Sequence, residues 1–188
     1  MLGMVFRELV RGMFFLTPRA RATRGIRKRA LAYQAIGAAL GEDLGRQPAR
    51  VPATPGLDED MLEWSFFMVL EHNTIVNGAV TEMTCALATG DFSKVSKAFD
   101  PKRDVMPRAD AGPEQLAAFM DSVEAHLQRV EALPKLRGTP RHRHPVFGLL
   151  DAHGWHNMFG LHLQVHLIQA RNLQQALKAG TRPAPQTP

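Results

Sequence analysis

The sequence predicts an all-α fold: a four-helix bundle with a long crossover between its second and third helices, preceded by an extra amphipathic helix. Three observations carry this expectation. Apolar residues recur at helical spacing along the whole chain, with no sustained alternation of period two. Proline, glycine and acidic residues punctuate four segments of roughly 20–30 residues at the places where helices start and stop. A length of 188 residues with 45% hydrophobic content is enough for one real core, which excludes wholesale disorder.

The first helix, α1 (residues 1–16), sets Leu2, Val5, Phe6, Leu9, Met13 and Leu16 on one strip and Gly3, Arg7 and Arg11 on the other, until Thr17-Pro18 ends it. Helix α2 (19 to about 44) opens with Arg19, Arg21, Arg24, Arg27, Lys28 and Arg29 and continues into the good helix formers ALAYQAIGAAL. Three prolines in RQPARVPATPGL make residues 46–57 a linker. Helix α3 (58–88) takes Asp58 as N-cap, places Glu59 and Asp60 where the helix dipole favours acids, and stops at Gly90. Pro113 opens α4 (113–133), which halts before Pro134. After the basic loop PKLRGTPRHRHPVFGLL, Asp151 caps α5 (151–179), with Gly180 at its end. Residues 1–18 thus read as an N-terminal arm, 19–180 as the bundle and 181–188 as a disordered tail. The connection 89–112 can stretch to about 75 Å at ~3.3 Å per residue. That exceeds the ~45 Å length of a 30-residue helix, so α3 and α4 are free to run parallel.

Charge is unevenly distributed. Residues 1–50 hold 10 basic and 3 acidic residues, a net +7, while the remainder carries −2. The sequence pI near 9.9 is therefore a property of the N-terminus and a weak argument for nucleic-acid binding. The segment also lacks a nucleic-acid-binding motif. A peripheral membrane contact through α1 is a further reading, against the plainer one of a solvated charged face. The single cysteine, Cys85, excludes an internal disulfide framework and a multi-cysteine zinc knuckle and points to a cytoplasmic protein. The alternative is a mitochondrial-type presequence, since residues 1–29 are amphipathic, rich in Arg and carry only Glu8. No apolar run has the ~18–20 residues that a transmembrane helix needs.

Eight histidines invite a search for metal ligands. His126 stands alone on α4 and reads as a structural residue, solvated or partly buried. His142 and His144, in RHRHP, read as exposed loop residues. His153 and His156 have metal-compatible i,i+3 spacing but no third partner. His162 and His166, at i,i+4 in HLQVH, project from one face of α5 about 6 Å apart, a span one metal ion can bridge. Their face also carries Trp155, Met158, Phe159, Leu173 and Leu177, with Gln169 the other polar group. His72 sits on an almost wholly apolar face of α3, flanked by Trp64, Met68, Val69, Ile75, Val76 and Val80. Each imidazole alone reads as a satisfied core residue, but burying three without partners costs a few kcal/mol by typical magnitudes. His72 lies near the middle of the expected α3 and the pair near the middle of α5, so the three rings meet at the midplane whichever way the helices run. Three neutral imidazoles leave a divalent ion an open position, the arrangement of a catalytic site.

Two segments, EWSFFMVLEHNTIVNGAV and HPVFGLLDAHGWHNMFGLHLQVHLIQARNL, resemble the DinB-like (YfiT-like) metal-binding four-helix bundles. The likeness lies in a Trp-led helix with a central His, a His-Pro-x-Phe-Gly lead-in, a Trp, and an H-x-x-x-H-x-x-Q helix, and it covers roughly residues 55–180. Carried over by position, the family's metal triad falls on His72, His162 and His166. The resemblance implies a divalent metal, commonly nickel, zinc or iron, and often a homodimer. It also implies a small-molecule substrate, because characterised relatives include thiol-cofactor-dependent S-transferases and a mycothiol-dependent isomerase. The basic N-terminal 50 residues depart from the family pattern.

The leading functional expectation is a metal-dependent protein acting on a small molecule by thiol transfer, or by a related addition or hydrolysis, with a low-molecular-weight thiol as a further cofactor. No Asp or Glu falls on the three-histidine face, which leaves simple hydrolysis without an obvious general base. Gln169 reads as a residue that orients a ligand or the substrate, and Trp155 as a pocket wall, each with a plain core role as the alternative. Asn157 and Glu71 read as solvated. The second functional expectation is a non-catalytic DinB-like binding or interaction module in which the triad holds a structural metal or none. A di-iron carboxylate bundle is excluded, since neither Glu71 nor Glu124 has a His three residues later.

Overall fold

The computed structural model describes residues 2–95, 100 and 102–180; the expected tail at 181–188 and residues 96–99 and 101 of the crossover lie outside these. Five α-helices account for most of the described chain: α1 (Leu2–Leu16), α2 (Arg19–Gly45), α3 (Phe66–Thr89), α4 (Glu114–Glu131) and α5 (Ala152–Gly180). Helix α5 packs against α2 and α3, α4 against α3 and α2, and α1 against α5. Their shared core contains Ile26, Tyr33, Phe66, Leu70, Phe119, Phe159 and Leu163, all essentially inaccessible to water.

Hydrogen bonds and ring contacts fix the helix directions. Asn77, Thr81 and Glu82 of α3 meet Ser122, His126 and Arg129 of α4 in ascending order, so these helices run parallel, as the length of the crossover allows. Along α2, Arg19 reaches the carbonyls of Val130 and Leu133, whereas Tyr33 packs on Phe119 nearer the start of α4; α2 and α4 are antiparallel.

The start of α3 differs from the sequence expectation. Asp58, Glu59 and Asp60 open only a 3-10 turn over Glu59–Met61. The helix begins at Phe66, with Ser65 as its N-cap, Ser65 Oγ accepting from the Met68 N–H at 3.2 Å. Acidic residues suit either kind of first turn, whereas the hydroxyl at 65 is the group that captures an orphan helix donor. The other end is as expected: Gly90 adopts φ 84°, the left-handed conformation of a helix C-cap. Gly41, at φ 66°, kinks α2 one turn before its end.

The basic loop before α5 contains a short antiparallel hairpin, β1 (His142–His144) with β2 (Gly148–Leu150), pairing His142 with Leu150 and His144 with Gly148. Asp151 then caps α5 as expected, its Oδ1 accepting from the Gly154 N–H at 2.9 Å. Among the described residues no helix is long and apolar enough to cross a membrane.

Candidate metal centre

The three histidines singled out by spacing do meet. His72 Nε2 lies 3.1 Å from His166 Nε2 and 3.3 Å from His162 Nε2. Among the described residues this is the one group of His, Cys, Asp or Glu ligand atoms close enough to share a metal ion, and no carboxylate belongs to it. His72 and His166 are buried, and His162 keeps partial exposure. The meeting point is not mid-helix on α3: because that helix starts at Phe66, His72 stands in its second turn. The Trp64 ring lies under the cluster, 5.1 Å from the His72 ring and nearly parallel to His166.

The outer nitrogens decide what the inner ones can do. His72 Nδ1 is 2.8 Å from the Val105 carbonyl, which only accepts, so the proton sits on Nδ1 and Nε2 carries a bare lone pair. Gln169 donates its amide N–H to the Met61 carbonyl, which turns its Oε1 toward His166 Nδ1 at 2.7 Å. That oxygen fixes the same tautomer on His166. Two bare lone pairs therefore face each other at 3.1 Å, where no hydrogen bond between neutral rings can form. A proton on His162 Nε2 would satisfy one of them and leave the other. Burial removes the alternative of an imidazolium: it pushes His166 down to about 3, lowers His72, and, with the neighbouring imidazoles of His166 and His72, holds His162 well below the usual histidine range. A metal cation fits this donor set, since converging neutral imidazoles held by carbonyl and amide acceptors are what a divalent ion requires.

A second histidine pair in the same core behaves in the opposite way. His126, expected to stand alone, is fully buried on α4 and joins α3, α5 and α2 in one chain of hydrogen bonds. The Thr81 hydroxyl donates to the Asn77 carbonyl, so His126 Nδ1–H donates to Thr81 Oγ1 at 2.9 Å. His126 Nε2 then accepts from His156 Nδ1–H at 3.0 Å, and His156 Nε2 accepts from the Thr23 hydroxyl at 3.2 Å. Every nitrogen is satisfied with both rings neutral, so this pair needs no ion. Burial accordingly lowers both, His156 to about 4.

His153 donates through Nε2 to the Phe14 carbonyl and ties α1 to α5. His142 is exposed, but His144 is half-buried against Phe147 and Trp155. Asn157 is buried, bonded to the His153 carbonyl, and Glu71 is half-buried, holding both the backbone N–H and the side chain of Arg108; neither is simply solvated. Trp155 is buried beneath the hairpin, and its indole N–H has no partner. The Val105 and Met61 carbonyls went unforeseen because a backbone acceptor has no residue signature. The only hint was a lone valine in the charged run KRDVMPR, and it is buried.

Fold and site together define a mostly helical protein with a three-imidazole cluster in its core. Compared with known proteins, the chain matches no family model, no curated protein and no solved structure.

Proposed function

We propose that this chain is a DinB-like metal-dependent protein that holds one divalent ion through His72, His162 and His166 and acts on a small molecule, by thiol transfer or by a related addition or hydrolysis. The observation that carries the reading is the pair of bare Nε2 lone pairs of His72 and His166 facing each other at 3.1 Å. The chemistry a divalent ion supplies when bound is Lewis acidity, which favours the anionic form of a thiol or water at neutral pH. Nickel, zinc and iron all accept imidazole ligands.

The protein's own residues supply orientation and exclusion of water. Val105 and Gln169 hold two rings in the ligating tautomer, Trp64 closes the cluster from below, and His162 is the least buried of the three ligands. Among the described residues no carboxylate belongs to the cluster, which favours thiol chemistry over hydrolysis. A non-catalytic binding module with a structural ion is the second reading, favoured by the deep burial of His72 and His166.

Elemental analysis of protein purified without a His tag or chelator tests the proposal. About one divalent ion per chain is expected, with loss of the ion in each of His72→Ala, His162→Ala and His166→Ala. Metal-free protein whose melting temperature is indifferent to His72→Ala would overturn it. Retained metal without turnover of any thiol substrate would select the second reading.

A further inference from the structure

Beside the metal centre, the hairpin and α5 bring together two N–H donors that nothing in the fold uses. Trp155 lies on the same face of α5 as His162, two turns or about 10 Å away along the axis. Its Nε1–H is buried and has no hydrogen-bond partner. Leaving such a donor unpaired costs about 1–3 kcal/mol unless something else occupies it. The His144 ring meets the indole edge to face at 5.2 Å. His144 Nδ1 accepts from the backbone N–H groups of Val146 and Phe147, at 3.1 and 3.3 Å. The neutral ring must therefore carry its proton on Nε2, and no protein acceptor among the described residues takes it. His144 keeps partial exposure, which leaves this pair a way to solvent, and the hairpin around it carries Arg141 and Arg143 and no acid.

Resting on the reading of the histidine cluster as a metal centre, we propose that Trp155 Nε1–H and His144 Nε2–H form a seat for the carboxylate of the small molecule, whose reacting end lies two helical turns away at the cluster. Two unpartnered donors on touching rings, in a hairpin that carries two arginines, suit an anionic oxygen pair better than a neutral carbonyl or an apolar group. The two-turn offset along α5 selects a substrate class: a carboxylic acid whose reactive atom lies several carbons from its carboxylate. Neither donor takes part in ligating the ion. Both are positioning residues.

The test uses four probes, 6-mercaptohexanoate and hexanoate with their carboxamides, titrated into the purified protein and followed by tryptophan fluorescence and calorimetry. Each acid is expected to bind about tenfold or more tightly than its amide. Trp155→Phe and His144→Phe, which keep the ring packing, are expected each to reduce that preference about tenfold while metal content and circular dichroism stay as in the parent. Equal affinity for acid and amide, or a preference untouched in both variants, overturns the seat. Hexanoate and its amide are titrated again after chelation, which separates the two readings. A carboxylate preference that survives with no metal ever found supports the seat and sinks the metal centre, while bound metal without acid preference does the reverse.

Discussion

Gln169 decides which nitrogen of His166 faces the cluster, because its amide is itself oriented by the Met61 carbonyl. Gln169→Leu leaves the His166 Nδ1–H without its acceptor and the Met61 carbonyl without its donor. Metal affinity is expected to fall about 10–100-fold with the three ligands still present, measured by cobalt(II) titration in the visible range. An unchanged affinity would show that the tautomer is not set from outside. Thr81 plays the matching part in the other histidine pair. Thr81→Val keeps the shape but strips the buried His126 Nδ1–H of its acceptor, and is expected to cost about 1–3 kcal/mol in urea unfolding while leaving metal content alone. The ligands were legible in the sequence because i,i+4 spacing and an apolar neighbourhood are properties of side-chain order. Their partners were not: the acceptor for His72 is a backbone oxygen 33 positions away.

At the level of elements, the break before α3 does more than shorten a helix. Residues 58–65 leave the helical path, which frees the Met61 carbonyl for Gln169 and lays Trp64 under the histidines. A helix continuous from Asp58 would have used that carbonyl internally. Ser65 is the residue that restarts the helix, two turns before His72, so Ser65→Ala is expected to lower stability by about 1 kcal/mol, with Ser65→Asp restoring it. Denaturant midpoints of the three proteins check this, and equal midpoints would mean that packing of Phe66 and Phe67 alone sets the boundary. Helix direction was within reach of sequence reasoning, since a crossover of that length permits the parallel α3 and α4 that the ascending contacts show. The hairpin was not, because three-residue strands such as HRH and GLL are too short to show alternation.

For the molecule as a whole, the decisive electrostatic fact is the number of imidazoles held neutral in the core, not the basic N-terminus. Much of the charge of residues 1–50 stays outside: α1 docks through Val10 and Phe14, while Arg21, Arg24, Arg27 and Lys28 remain exposed. Inside, burial lowers His156 to about 4, and burial together with the His156 ring holds His126 well below the usual range. An unfolded chain takes up these protons near pH 6.5, whereas the native chain does not. The unfolded state therefore binds more protons at acid pH, and stability is complete above about 6.5 and declines as pH falls toward 4. For His156 alone the loss by pH 4 is on the order of 3 kcal/mol. Metal-free protein is thus expected to melt at progressively lower temperature between pH 7 and pH 4.5 by calorimetry or circular dichroism. His126→Leu combined with His156→Leu removes two of the buried bases and should flatten part of that slope, whatever it does to the melting temperature at pH 7. A slope identical in parent and double variant would mean that this pair is already protonated in the native core, and the chain of neutral hydrogen bonds from Thr23 to Thr81 would have to be redrawn.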